Sequence, residues 1–404
     1  MQNPERLVIV GGGAAGFMAA ITVAAAQRNI EIIILEQGNE VLGKVKISGG
    51  GRCNVTHACF DVKELVKFYP RGNKELLSAF YQFNCEHTID FFESKNVALK
   101  TEDDGRIFPT TDDSMTIINC LKNEAENLGV KVILQAKVIQ IKKSEQFEIS
   151  YNNKTFFADY LLMASGSNHT IWNCLQSLNH TIIEPVPSLF TFNTKNNIFR
   201  DLSGISIPNT LIKIKDSMFE ASGILLITHT GLSGPGILKL SAFGARYLAA
   251  KNYQFSIIIN WVNESKTEVL HELNAIKTEH TKKATQNFSP YKLANRFWKN
   301  CLTELKIDAE KQWANLNKNE LNAIADFLTN CEINIFSKST NKDEFVTAGG
   351  VALNEVDFKT MQSKLIPNLY FAGEVLDIDA VTGGFNFQAA WTTGFIAGNT
   401  IGKQ

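Results

Sequence analysis

Three glycines, Gly11, Gly13 and Gly16, stand at the spacing G-x-G-x-x-G directly after the apolar run Leu-Val-Ile-Val of residues 7–10. Strand, glycine turn and helix in that order suit a dinucleotide pyrophosphate. Gly11 permits the tight turn, Gly13 leaves no Cβ between backbone and phosphate, and Gly16 lets helix and strand approach. The helix expected over 14–27 opens on Ala14 and Ala15. Its free backbone amides and positive dipole end can hold two negative charges without a lysine. Glu36 follows twenty residues after Gly16, closing the apolar run 30–35. A carboxylate there, with Gln37 beside it, accepts hydrogen bonds from a ribose diol and repels a 2′-phosphate. A solvent-facing strand cap is the plainer reading of Glu36, but spacing and element order agree on an adenine dinucleotide.

A second glycine-rich stretch, residues 42–54, reads Leu-Gly-Lys-Val-Lys-Ile-Ser-Gly-Gly-Gly-Arg-Cys-Asn. As a loop it offers backbone amides from Ser48, Gly49 and Gly51, fixed charges from Lys46 and Arg52, and an amide donor in Asn54. Cys53 has no resolving cysteine nearby, so a packing role is favoured over a redox thiol. Residues 160–166 form a buried strand ending in Ala164, Ser165 and Gly166. Near the C-terminus, 369–372 is a short strand, Gly373 and Glu374 end it, and Gly383 and Gly384 precede an Ala-rich helix over 386–401.

The string 48–54 resembles the bacterial BaiN/YhiN-like NAD(P)/FAD-dependent oxidoreductases, as do residues 105–109, 228–235 and 347–394. These are two-dinucleotide-binding-domain flavoproteins related to glutathione reductase and fumarate reductase, and the resemblance covers essentially the whole chain. It implies FAD in the first fingerprint, with 368–388 closing over it. The helix N-terminus after Gly384, with Asn386 and Phe387, would then face the flavin N1–C2=O edge, while Glu374 and Asp377 bind ribityl hydroxyls. Val138 would give a backbone contact to adenine, and 160–166 would be the strand that returns to the cofactor.

These residues need an α/β scaffold: a Rossmann-like FAD-binding domain with a parallel sheet and a β-meander within 130–157. The domain is expected over 1–188 and again over 342–404. An inserted domain, 189–341, interrupts it, barrel-like and β-rich over 189–261 and 331–341, helical over 262–330. In the insert, 228–235 carries a strand into a turn and a helix, where His229 could donate a proton. An ordinary turn with a satisfied histidine is the alternative reading. Arg106, in the hairpin before Phe108, is a second candidate for substrate contact.

With 404 residues, 44% of them hydrophobic, the chain can bury a large core, and its net charge of -1 gives no strong field for nucleic acid. The seven cysteines are scattered, with no CxxC and no His/Cys cluster at ligand spacing, so a reduced cytoplasmic protein without a metal is expected. The uncharged run 7–26 is long enough to cross a bilayer but is broken by Gly11–Gly13, so no membrane span is expected.

The function expected is FAD reduction by NAD(P)H, then hydride transfer from flavin N5 to a small organic acceptor such as an activated C=C bond. Only one full fingerprint is present, so NAD(P)H would dock transiently, or another donor would serve. Two other classes stay open. An RNA-modifying flavoenzyme requires a basic, aromatic-bearing insert, against which the near-even charge of the insert argues. A non-catalytic flavin-bound redox sensor would show flavin reduction without turnover. Oligomeric state is open.

Overall fold

The computed structural model describes residues 4–26, 29–195, 199, 201–339 and 346–404. The chain divides into two compact units, Met1–Val186 with Lys342–Gln404, and Pro187–Asn341. The expected domain boundary at 341/342, and Gln27 at the end of the first expected helix, lie outside the described residues.

The first unit is built on a parallel sheet. Its strands are β1 (Glu5–Val10), β2 (Ile30–Leu35), β3 (Lys131–Ile133), β4 (Tyr160–Met163) and β5 (Leu369–Phe371), in the order β5-β4-β1-β2-β3. Every pair among them is parallel. An antiparallel pair of two-residue strands, Val356–Asp357 and Gln362–Ser363, extends the sheet beyond β5. Leu7, Val8, Ile9 and Ile34 have no exposed surface, as strands covered on both faces require. The covering helices are α1 (Ala14–Ala25) and α3 (Phe385–Gly402). They meet through small residues: a Cβ on Gly394 would lie 2.5 Å from the Ala15 carbonyl oxygen. The expected meander is present as three antiparallel strands, Val138–Lys143, Phe147–Tyr151 and Lys154–Ala158. Asn152 (φ 43) and Asn153 (φ 59) turn its second hairpin, both residues taking positive φ as a tight two-residue hairpin demands.

The second unit is a seven-stranded antiparallel sheet with helices. Its order is Cys331–Ile335, Phe255–Asn260, Ser206–Ile214, Glu220–Ile227, Gly231–Ser233, Thr191–Asn193, Ser337–Ser339. The two edge strands are consecutive in sequence, and the sheet curls to join them. Phe336 N–H donates to Asn193 O at 3.1 Å, and Thr194 Oγ1 donates to Asn334 O at 2.8 Å. These two bonds bring the ends of the sheet together, and closure covers strand edges that would otherwise be open. Phe192, Leu225, Ile257, Trp261, Phe297 and Trp298 fill its core. The helices Lys266–Glu279 and Lys318–Thr329 each start from a capping box, Ser265 with Glu268 and Asn317 with Glu320.

Two local expectations differ. Residues 228–235 do not run from turn straight into helix. Gly231–Ser233 first adds a strand, possible because a Cβ on Gly231 would sit 2.0 Å from Phe192 O. The insert's charge is also not near even: residues 187–341 hold 18 Lys and Arg against 13 Asp and Glu.

Candidate functional site

Four segments of the first unit converge at the carboxyl ends of β1 and β4, where open α/β sheets place ligands. Gly11 crosses from β1 to α1 at φ +115, and a Cβ there would lie 2.3 Å from Ala164 O. Ala164 N–H in turn donates to Val10 O at 2.9 Å. A Cβ on Gly16 would meet Gly11 O at 2.1 Å, whereas one on Gly13 would meet nothing within 4 Å. Gly11 and Gly16 are therefore small because protein is close, and Gly13 faces open space. Behind Gly13, α1 begins with no side-chain cap and no acid in its first turn, leaving the amides of Ala14 and Ala15 for another acceptor.

Glu36 bends back on this turn: one carboxylate oxygen accepts from Gly12 N–H at 2.8 Å and the other from Gly38 N–H at 2.7 Å. Its backbone holds the start of the meander, since Ala136 N–H donates to Glu36 O at 2.8 Å, which brings buried Val138 into the same neighbourhood. Gln37 is exposed and accepts from the Asn168 amide at 3.0 Å.

The stretch 42–54, expected as a loop, contains a helical turn. Leu42 N–H donates to Gly12 O at 2.8 Å, and α2 (Gly43–Gly51) starts there. Ser48 (ψ 150), Gly49 (φ 58) and Gly50 (φ 70) then leave helical space, with Gly51 at φ 86. This left-handed glycine turn is exposed at Gly49 and Gly50, and Cβ atoms on Gly43, Gly50 and Gly51 would meet nothing within 4 Å. Of the charges expected to serve it, Lys46 instead points to the surface, pairing with Glu40 at 2.8 Å. Arg52 braces the turn from behind, bonded to Glu102 at 2.6 Å with its guanidinium 4.0 Å from the centre of the Phe108 ring. Cys53 is fully buried, and burial pushes its thiol up to about 12. Oriented to satisfy both neighbours, the Asn54 amide donates to Thr56 O and accepts from Gly384 N–H, each at 3.0 Å.

The C-terminal segment completes the group. A Cβ on Gly373 (φ +74) would lie 3.1 Å from the Ala15 Cβ. Glu374 accepts from Thr347 N–H at 3.1 Å and is ion-paired to Lys44. A Cβ on Gly166 would come within 3.7 Å of the same carboxylate. Gly384 (φ +87) starts α3, and Gly383 packs on the Phe385 ring. The Asn386 side chain is committed locally, bonded both ways to Ala380, and Phe387 stacks on Trp391. Asp377 is buried, its N–H donating to Val351 O at 3.1 Å. Two hydroxyl oxygens here, Ser165 Oγ and Thr347 Oγ1, are buried without a partner.

Sequence reasoning missed Lys44, Thr347 and His57. The His57 ring stacks on Phe385 at 4.6 Å, its Nε2 lies 3.1 Å from Asp104 O, and burial holds its pKa down. The adjacency of Asn54 was the one signal for it. Arg106 is tied to Glu102 at 3.0 Å and Asp104 at 2.7 Å. His229 belongs to the second unit, where it is exposed on the hairpin turn before Gly231. Among the described residues no His/Cys/Asp/Glu group could hold a metal ion, and no helix is long and apolar enough to cross a membrane.

The HI0933-like protein Rossmann domain matches residues 5–400. A 3-dehydro-bile acid delta(4,6)-reductase of Clostridium scindens is 26% identical, over 99% of this chain and 100% of that one. A ribosomal RNA dihydrouridine synthase of Haemophilus influenzae is 25% identical, over 100% of each. Among solved structures, a 3-ketosteroid-delta4-(5alpha)-dehydrogenase from Rhodococcus jostii superposes with a TM-score of 0.52 at 11% identity, covering 100% of this chain and 98% of that one, a likeness of fold. With a match spanning nearly every residue, the chain belongs to the HI0933-like Rossmann-domain family.

Proposed function

We propose that the chain is an FAD-dependent oxidoreductase that takes electrons from NAD(P)H and saturates a C=C bond conjugated to a carbonyl. The observation that carries this is the convergence of an uncapped helix N-terminus, the open face at Gly13 and the glycine turn 49–51, exposed at Gly49 and Gly50. Bare amides and missing Cβ atoms suit a pyrophosphate and a flat ring, and the partnerless Ser165 and Thr347 hydroxyls fit a ligand rich in polar groups. Bound FAD would supply the hydride chemistry. The protein's share is to hold it: α1 amides at the phosphates, Glu36 at the ribose, Glu374 and Asp377 at the ribityl chain, and the α3 N-terminus beside developing negative charge. His229 and Arg106 enter as proton donor and substrate contact.

The acceptor class is supported by the relatives. A delta(4,6)-reductase and a dihydrouridine synthase both saturate C=C bonds conjugated to carbonyls. The seven cysteines, none in a disulfide, support a cytoplasmic setting. Anaerobic mixing with NADH or NADPH, followed by a screen of enones, quinones and uracil-containing RNA, tests the proposal. Bleaching near 450 nm followed by turnover with an enone or a uracil ring supports it. A colourless protein that takes up no FAD overturns it, and flavin reduction without turnover favours a sensor. Loss of acceptor reduction in H229N or R106Q, with bleaching by NAD(P)H intact, would support their roles.

One observation favours RNA as the carrier of that C=C bond. The second unit has excess basic charge, and Lys195, Lys251 and Lys338 lie over the rings of Phe336, Tyr247 and Tyr253, at 4.8, 5.7 and 4.8 Å. Lysines beside aromatic rings suit phosphates and stacked bases. Replacing all three with Gln should release RNA and flatten the salt dependence of its binding while leaving NAD(P)H-driven bleaching intact. Binding that stays the same removes this reading.

A further inference from the structure

Lys44 stands between the first glycine turn and the C-terminal segment, paired with Glu374. Two residues earlier, Leu42 N–H is bonded to Gly12 O at 2.8 Å, so Lys44, in the first turn of α2, stands beside the first glycine turn. Its ammonium reaches Glu374, whose carboxylate lies near Gly166 and whose chain neighbour Gly373 packs close to Ala15. The pair therefore bridges the glycine turn and the C-terminal segment. The lysine side chain is 57% exposed and the glutamate 20%, so the long stem is free to swing while the carboxylate is held by Thr347 N–H.

We infer that Lys44 is a phosphate-binding residue that trades Glu374 for the FAD pyrophosphate, freeing the carboxylate for a ribityl hydroxyl. The inference rests on the flavin-site reading above. Its physical basis is competition for one cation. A diphosphate at the α1 N-terminus brings two negative charges and several acceptor oxygens, against one carboxylate that already accepts a backbone N–H. An exposed ammonium moves to the larger charge. The other two cations of the stretch 42–54 face away from it: Lys46 is turned to Glu40 and Arg52 to Glu102.

Binding of FAD, ADP and riboflavin to the full-length, flavin-stripped protein separates the parts. ADP carries the phosphates without the ribityl chain, and riboflavin the reverse. In K44M, FAD and ADP affinity should each fall roughly five- to tenfold at low salt, with riboflavin within about twofold of wild type. The deficit should shrink as salt rises. In E374Q, ADP should bind roughly two- to threefold tighter, because the competing carboxylate is gone, while FAD weakens. K44R should keep most of the ADP affinity. Equal losses for ADP and riboflavin in K44M, or no loss for either, would overturn the exchange. If wild-type protein binds no FAD, the flavin-site reading fails instead.

Discussion

Asp379 has no exposed surface and meets the Arg71 guanidinium through both carboxylate oxygens. The pair links residues 308 apart in sequence and sits among further ties. Val381 N–H donates to Phe68 O at 3.0 Å, the Tyr69 hydroxyl to Phe385 O at 2.7 Å, and Gly72 (φ +83) packs on Ile378. Segment 68–72 is thus a clasp on the turn that leads into α3. Removing one member of a buried ion pair strands the other charge and costs about 3–5 kcal/mol. Asp379→Ala should therefore lower the urea-unfolding free energy by about that much and speed FAD loss. A change under about 1 kcal/mol would show that the clasp is held by its other contacts.

Gly11 and Gly13 are two residues apart in one turn yet should respond oppositely to alanine. At Gly11 the backbone is at φ +115 and the added Cβ would strike Ala164 O. Strain and overlap together should cost at least about 1–2 kcal/mol of stability. At Gly13 the backbone is extended and the space is empty, so stability should stay within about 0.5 kcal/mol of wild type. FAD affinity should nevertheless fall by about tenfold or more, because the Cβ occupies the line of approach to the phosphates. Thermal melts with and without FAD separate the two. A destabilised but FAD-competent Gly13→Ala protein would contradict the assignment.

The parallel sheet and its glycine turn were legible because local signals agreed: β-branched runs, glycine spacing and an acid at the strand end. Residues 42–54 read as a loop in the sequence because glycine composition hides a helical turn whose start is fixed by a distant acceptor, Gly12 O. The choice between Lys44 and Lys46 followed the same limit. Both are cations near the glycines, and only their direction from α2 sends one to Glu374 and the other to Glu40. His57 depends on partners far off in sequence: Phe385 supplies a stacking face, and Gly105 leaves room, since a Cβ there would lie 2.5 Å from the imidazole. The excess basic charge of the second unit was countable from sequence, but the rings beneath its lysines were not.

Thiol titration should make the protein lose stability in alkali. Burial pushes Cys53 and Cys331 up to about 12 and Cys85 up to about 11, from an ordinary 9.0. Below pH 9 both folded and unfolded thiols keep their protons and the full stability is present. Above it the unfolded chain gives up protons that the folded chain retains, so stability declines from about pH 9 toward 12. Cys53→Ala should lessen the slope of Tm against pH above 9. The same protonated state predicts no labelling of Cys53 by iodoacetamide in the native protein at pH 8. Rapid labelling there would reopen a redox role.

Arg52 should act on the flavin end of the ligand and not the phosphate end. Its Nε lies 3.4 Å from Gly49 O, its guanidinium lies over the Phe108 ring, and that phenyl is where a Cβ on Gly49 would collide, at 2.9 Å. The guanidinium therefore fixes the shape of the turn 48–51 through a planar stack on Phe108, an Nε–H bond to Gly49 O and an Nη1–H bond to Glu102. Lysine keeps the charge but neither the plane nor the separate Nε and Nη1 donors. Arg52→Lys should weaken riboflavin and FAD by roughly fivefold, about 1 kcal/mol, while ADP binds as in wild type, and Glu102→Gln should likewise weaken riboflavin and FAD and leave ADP unchanged. If Arg52→Lys weakens ADP as much as riboflavin, the guanidinium serves the phosphates directly and the glycine turn keeps its shape without it.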